Sequence, residues 1–197
     1  MDNSFEVLVT DLDHTLLHPE TGQITDRTPE LLQEWMNQGH SWIIATGREL
    51  AHLQEVLSEV GLHPHYSITR SRYIHATRSE PHPELTSWNR SVRRLTKKQW
   101  DYAQEWIPKA KRWASDNEIE VDTDEGYVTF EDADAAEKAF HYISKVIDED
   151  FKVLRNREFL VVVPRETGKG NCLKRLSELT QWDESEIFCV GDGMNDA

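Results

Sequence analysis

Glu6-Val7-Leu8-Val9-Thr10-Asp11-Leu12-Asp13-His14-Thr15-Leu16 carries a short apolar run straight into a pair of acids. Residues 6–10 have the length and branched side chains of a buried strand. The polar stretch from His14 to Thr28 reads as a connecting loop or flap. A helix follows, with Thr28 as its cap, Pro29 at its first position and Leu31, Leu32, Trp35 and Met36 on an apolar face that ends at Gly39. Ser41-Trp42-Ile43-Ile44-Ala45-Thr46 is a second strand. From about Arg48 to Val60, Leu50, Leu53, Leu57 and Val60 recur at helical spacing before Gly61. Such a strand-helix-strand-helix opening argues for a parallel sheet with active residues at the carboxyl ends of its strands.

Further along, Tyr66-Ser67-Ile68-Thr69 suits a third core strand, and residues 75–97, rich in Arg, His, Pro and Ser, read as an irregular entry into a second unit. That unit reads as a helix over 98–115, strands near 118–122 and 126–130, a helix near 132–147, and strands near 151–155 and 158–163. Helix-strand-strand occurring twice predicts a small antiparallel sheet with two helices. The core resumes with a helix from Gly168 to about Leu179 and the strand Ile187-Phe188-Cys189-Val190, followed by Gly191-Asp192-Gly193-Met194-Asn195-Asp196-Ala197. A chain that stops in a polar loop so soon after a strand leaves a sheet edge to be covered, which predicts truncation at the C-terminus.

Composition narrows the class. Hydrophobic residues make up 38% of the 197 and charged residues 29%, as in a globular protein. No run approaches the ~20 apolar residues that span a bilayer, and no basic, signal-like segment opens the chain, so a cytoplasmic protein without a membrane partner is expected. A net charge of -14 argues against nucleic acid as a partner. Composition says nothing of oligomeric state. The same charge repels a small phosphate ester unless a metal and local cations reverse the field in the site. Cys172 and Cys189, in a predicted helix and a predicted buried strand, read as reduced core thiols.

Candidate chemistry gathers at the strand ends. Alternation sends Asp11 and Asp13 to one side of the chain and Leu12 to the other. Two adjacent carboxylates repel, and imply a cation, a shared proton or a solvated turn. Asp192 and Asp196 form a second acidic cluster, in a glycine-rich turn after a strand, and carboxylate oxygens of this kind suit Mg2+. Thr46, with Gly47 and Arg48, sits where a hydroxyl and backbone amides hold a phosphate oxygen at a helix start, although a capping threonine looks the same. Lys169 begins another helix, where a cation meets the positive dipole end and needs an anion nearby. Asp11 and a bound phosphate would supply it. Gly168-Lys169-Gly170 lacks the Ser or Thr of an ATP-binding loop, and Gly191-Asp192-Gly193 lacks a third glycine for a dinucleotide fold. His63, His65 and His75 lack zinc-site spacing.

Taken together, Asp11-Leu12-Asp13-His14-Thr15-Leu16, Ala45-Thr46-Gly47-Arg48, the lysine of Thr167-Gly168-Lys169-Gly170, and Gly191-Asp192-Gly193-Met194-Asn195-Asp196 resemble, in order and spacing, the four motifs of the haloacid dehalogenase-like hydrolases, in particular the Cof-like and sucrose-phosphatase-like phosphatases. The resemblance implies an α/β fold, a Rossmann-like parallel-sheet core formed by 1–74 and 164–197, with an inserted α+β cap at 75–163 and a core truncated at its C-terminus. It implies a magnesium-dependent phosphatase acting on a small phosphorylated metabolite, a sugar phosphate, through an aspartyl phosphate on Asp11, with Asp13 as acid and base. Thr46, Gly47 and Lys169 then bind the phosphoryl group, and Asp11, Asp13, Asp192 and Asp196 hold the metal. Arg48, Asn195 and the cap residues Lys152, Arg155, Arg157 and Arg165 are substrate-binding candidates, against the plainer reading of the last four as solvated hairpin cations. A phosphomutase using the same aspartyl phosphate, or a catalytically weak phosphate-binding protein, are the alternatives.

Overall fold

The computed structural model describes residues 5–24, 27–78, 82–124 and 126–192. Chain contacts divide it into two compact units, one of Met1–Arg90 with Gly168–Ala197 and one of Ser91–Thr167. The second is therefore inserted in the sequence of the first.

In the first unit, β1 (Val7–Thr10), β2 (Ser41–Ala45), β3 (Tyr66–Thr69), β4 (Tyr73–Ala76) and β9 (Ile187–Val190) form a five-stranded sheet in the order β4-β3-β2-β1-β9. All neighbours are parallel except β3 and β4. Helices α1 (Thr28–Asn37) and α2 (Leu50–Glu59) pack on one face and α5 (Lys169–Thr180) on the other. Alternation along the strands explains this. Trp42 and Ile44 join Leu32, Met36, Leu53 and Leu57, whereas Val7, Val9, Ile43 and Ala45 join Cys172 and Leu176. Trp42 is fully buried, and its indole N–H donates to Thr10 Oγ1 at 3.0 Å, which satisfies the one polar atom on that ring. The loop after β1 folds back, so Leu12, Leu16, Leu17 and Ile24 enter the same apolar cluster.

The second unit is an antiparallel sheet in the order β5-β6-β8-β7, made of β5 (Val121–Asp124), β6 (Tyr127–Phe130), β7 (Phe151–Asn156) and β8 (Phe159–Pro164). One face of it packs on residues of α3 (Pro83–Asp116) and on α4 (Ala133–Val146), burying Trp106, Ala110, Val128, Ala139, Ile143 and Leu160. Asp132 caps α4 by accepting the Ala135 N–H at 2.7 Å. Among the described residues, no helix is long and apolar enough to cross a membrane.

Several sequence expectations are corrected. Residues 83–97, expected to be irregular, are helical and continuous with the predicted helix: Leu85 and Val92 are buried at helical spacing, and Pro83 opens the helix at a position where its missing N–H costs nothing. Composition had masked periodicity. Residues 75 and 76, placed in the same transition, belong with 73 and 74 to a strand, added antiparallel to β3. Thr28 lies within α1, and the N-cap position falls to Arg27, which makes no side-chain capping bond. Cys189 is exposed, as are its neighbours Phe188 and Val190, because β9 lies at the edge of the sheet; Cys172 is buried, and burial pushes its thiol up to about 12.

Two histidines tie β3 and β4 to the sheet. His65 Nδ1 accepts the Trp42 backbone N–H at 3.2 Å, and His75 Nε2 lies 2.9 Å from Thr69 Oγ1. Burial lowers both rings below the ordinary value of 6.5, with Arg78 adding to the effect at His65. The unfolded chain therefore binds protons that the folded chain refuses, so this stability is complete above the ordinary value and falls as the pH drops through it. Urea midpoints measured at about pH 7.5 and 5.5 are expected to fall for the native sequence and to fall less for His65→Gln and His75→Gln. Identical pH dependence in all three proteins would refute this.

Candidate active site

Strand geometry aims the first acid. Val7 and Val9 face α5 while Leu12 faces α1 and α2, so Asp11 continues the α5-facing set. Its backbone N–H donates to Val190 O at 2.9 Å, extending the β1–β9 pairing past the end of β1. Lys169 Nζ donates to Asp11 Oδ1 at 2.7 Å, and both side chains are more than nine-tenths buried. Gly168 makes this possible: at φ 130° it turns the chain into α5 through a conformation that side-chain-bearing residues rarely adopt. Lys169 thus occupies the positive end of the helix dipole, and the Asp11 carboxylate compensates for it. Beside the pair is a cavity of about 40 Å³, lined by Val9, Ala45, Ile68, Leu173 and Val190, with room for little more than water.

Asp13 is held differently. Arg48 grips it with both edges of its fork, Nη2 to Oδ1 at 2.7 Å and Nε to Oδ1 and Oδ2 at 3.1 and 3.2 Å. Both side chains are well exposed, so this pairing orients more than it stabilises. Arg48, expected among the substrate contacts, is thereby engaged with the second acid. Thr46 is fully buried, and its Oγ1 accepts the Arg48 N–H at 3.1 Å. That leaves the hydroxyl proton to donate elsewhere. Gly47 is exposed, and among the described residues its N–H has no protein acceptor. Thr46 N–H donates to Ile68 O at 2.8 Å, while the Thr46 and Arg48 carbonyls accept from Ser71 and Arg70 N–H, each at 2.9 Å. Nothing in the sequence pointed to Arg70 and Ser71, which lack the usual turn composition.

Asp192 is exposed, two residues beyond β9, on the strand that neighbours β1. Asn195 and Asp196 lie outside the described residues. Among the described residues, no three carboxylate, histidine or cysteine side chains cluster as a metal site. The donors at the strand ends are nevertheless carboxylate oxygens, the chemistry that a hard cation such as Mg2+ takes. Of the cations in the second unit, Arg155 pairs with Glu137 at 2.8 Å, Arg165 donates to Glu149 O at 2.5 Å, and Arg157 sits at a left-handed position, φ 53°, between β7 and β8. Lys152 lies on β7, where burial and then Arg165 hold its ammonium below the usual lysine value.

The sequence pattern described as Sucrose-6F-phosphate phosphohydrolase matches residues 5–197. The chain belongs to this family. With it comes membership of the haloacid dehalogenase-like hydrolase superfamily. Solved structures share the fold at low identity. A haloacid dehalogenase-like hydrolase from B. subtilis superposes with a TM-score of 0.63 at 16% identity, over 98% of this chain and 85% of that one. The sucrose-phosphatase of Synechocystis sp. PCC6803, solved with sucrose and phosphate, gives 0.63 at 17% over 98% and 78%. The C-terminal domain of C. albicans trehalose-6-phosphate phosphatase gives 0.58 at 17% over 98% and 72%. No curated protein sequence matches significantly.

Removing one partner of a buried ion pair takes away compensation on which the other buried charge depends. Lys169→Met is expected to destabilise the chain by about 3–5 kcal/mol near neutral pH, and Asp11→Asn in the same chain to recover much of that loss. Urea unfolding of the two single variants and the double variant measures the coupling. Simple additivity would show that the two charges are not felt by each other.

Proposed function

We propose that this chain is a magnesium-dependent phosphomonoesterase that hydrolyses a sugar phosphate, with Asp11 as nucleophile and Asp13 as acid and base. The observation that carries the reading is the buried Asp11 at the end of β1, held by Lys169 and two residues from an Asp13 oriented by Arg48. Thr46 and Gly47 supply unspent donors in the same unit. Support for a sugar phosphate comes from the family description and from the fold shared with a sucrose-phosphatase and a trehalose-6-phosphate phosphatase.

In this mechanism an Asp11 carboxylate oxygen attacks phosphorus in line as the ester P–O bond breaks, and Asp13 gives its proton to the departing sugar oxygen. Asp13, now ionised, takes a proton from water as the water oxygen attacks the aspartyl phosphate, which frees Asp11 and inorganic phosphate. The Thr46 hydroxyl, the Gly47 N–H and the Lys169 ammonium stabilise the charge on the non-bridging oxygens in both steps. Asp11, Asp13 and Asp192, with Asp196, are the residues to hold Mg2+, which when bound lowers the repulsion between the Asp11 carboxylate and the phosphate. The inserted unit, Ser91–Thr167, acts as a cap, and Lys152, Arg155, Arg157 and Arg165 are its candidates for recognising the sugar.

The test is phosphate release from sucrose-6F-phosphate, trehalose-6-phosphate, other sugar phosphates and p-nitrophenyl phosphate, with and without Mg2+. Asp11→Asn is expected to abolish turnover. Asp13→Asn is expected to slow steady turnover of sugar phosphates and p-nitrophenyl phosphate alike by about 10²–10⁴-fold, because the second step loses its base, while first-turnover release of p-nitrophenolate, which leaves without a proton, is slowed much less. Undiminished turnover in folded Asp11→Asn would exclude Asp11 as nucleophile.

A further inference from the structure

The turn joining β3 to β4 is built from an unexpected pair of residues. Thr69-Arg70-Ser71-Arg72 closes with the Arg72 N–H donating to Thr69 O at 3.0 Å, and both central residues are left-handed, Arg70 at φ 48° and Ser71 at φ 54°. A turn with two left-handed central residues ordinarily takes Asn-Gly or another glycine-containing pair, because a side chain crowds the backbone there. Neither residue here is of that kind. A conformation this disfavoured persists where surrounding contacts over-determine it.

Those contacts lead to one place. The Arg70 N–H donates to Arg48 O and the Ser71 N–H to Thr46 O, so the two carbonyls flanking Gly47 are both held by the turn. The Arg70 guanidinium pairs with Glu49, the next residue of the same loop. Arg72 Nε donates to Arg70 O at 3.1 Å and steadies the turn from its own side. With the Thr46 N–H on Ile68 O, the loop 46–49 is tied at every residue except Gly47. Left-handed geometry is what aims two consecutive N–H groups outward at a neighbouring loop, so the strain and the bracing have one origin.

We propose that Arg70 and Ser71 are positioning residues that set the orientation of the Thr46–Arg48 loop, and through it the Thr46 hydroxyl, the Gly47 N–H and the Arg48 grip on Asp13. The inference rests on the reading of that loop as the phosphate-binding element. Ser71 touches no substrate in this account; its left-handed backbone acts through the Thr46 carbonyl.

The experiment compares Ser71→Val, Ser71→Gly and Arg70→Ala in the full chain. Valine, branched at Cβ, resists the left-handed region, whereas glycine adopts it freely. Ser71→Val is expected to raise the inhibition constant of inorganic phosphate and the KM for p-nitrophenyl phosphate together, and to lower kcat/KM by about tenfold or more. Ser71→Gly is expected to restore all three, and Arg70→Ala to fall between. Amide hydrogen exchange at residues 47–50 is expected to speed up in Ser71→Val and not in Ser71→Gly. This last readout needs no turnover, so it separates failure of the bracing from failure of the phosphatase reading. A folded Ser71→Val with unchanged exchange at 47–50 and an unchanged phosphate inhibition constant would overturn the proposal. So would equal losses in the valine and glycine variants.

Discussion

The contact between Asp11 and Lys169 is the constraint around which the first unit is arranged. Burying a carboxylate or an ammonium alone costs several kcal/mol, and the contact between the two offsets that cost. The pairing requires β1 to end where α5 begins, and it requires Gly168 to deliver the chain into that helix at an angle which a larger residue resists. It also requires the alternation of β1 to present Asp11 on the α5 side, which the apolar residues Val7 and Val9 determine by burying themselves there. Asp13 escapes this constraint. It lies on the exposed side of the turn, and Arg48 from the loop after β2 restrains it. Two acids separated by one residue thus meet opposite conditions, one dry and fixed, the other wet and steered.

Strong periodicity made most of the architecture legible. The apolar runs of β1, β2, β3 and β9, and the helical spacing of α1 and α2, are dictated by which faces must be buried, and little else competes with that signal. Residues 83–97 were misread because arginines, serines and other polar residues outweighed the spacing of a few apolar residues that do seat in the cores. Strand β4 was missed because its stability comes from pairing with β3 and from buried polar contacts such as Thr69 with His75, none of which is local in sequence. At the site, the acids, Thr46 and Lys169 stood out as residue types at strand and helix ends. The partnership of Arg48 with Asp13, and the bracing by Arg70 and Ser71, did not. Both depend on loops brought together by the sheet, and the second uses backbone groups that every residue possesses.

The two units meet the burial requirement in contrasting ways. Strands β1 and β2 of the first are covered on both faces, so they are nearly continuous apolar runs and the candidate site residues lie at strand ends. The second covers one face of an antiparallel sheet with two helices, and its strands accordingly alternate apolar with polar residues, as in Tyr127-Val128-Thr129-Phe130. Helix α3 supplies apolar residues to both, Leu85 to the first core and Trp106 and Ala110 to the second.

The parallel ladder between β1 and β9 has a bearing on how the protein comes into being. Asp11 and Lys169 are separated by 158 positions, and β9 follows later still. During synthesis the first strand emerges long before Lys169 or β9, whereas the inserted unit, contiguous in sequence, can close its own contacts as soon as it is made. The completed insert shortens the effective loop between the two segments of the first unit, lowering the entropy lost when the last strand arrives. On this ordering, Asp11 meets Lys169 only after the inserted unit has been made, so the candidate site is assembled at a late step from two distant segments of the first unit.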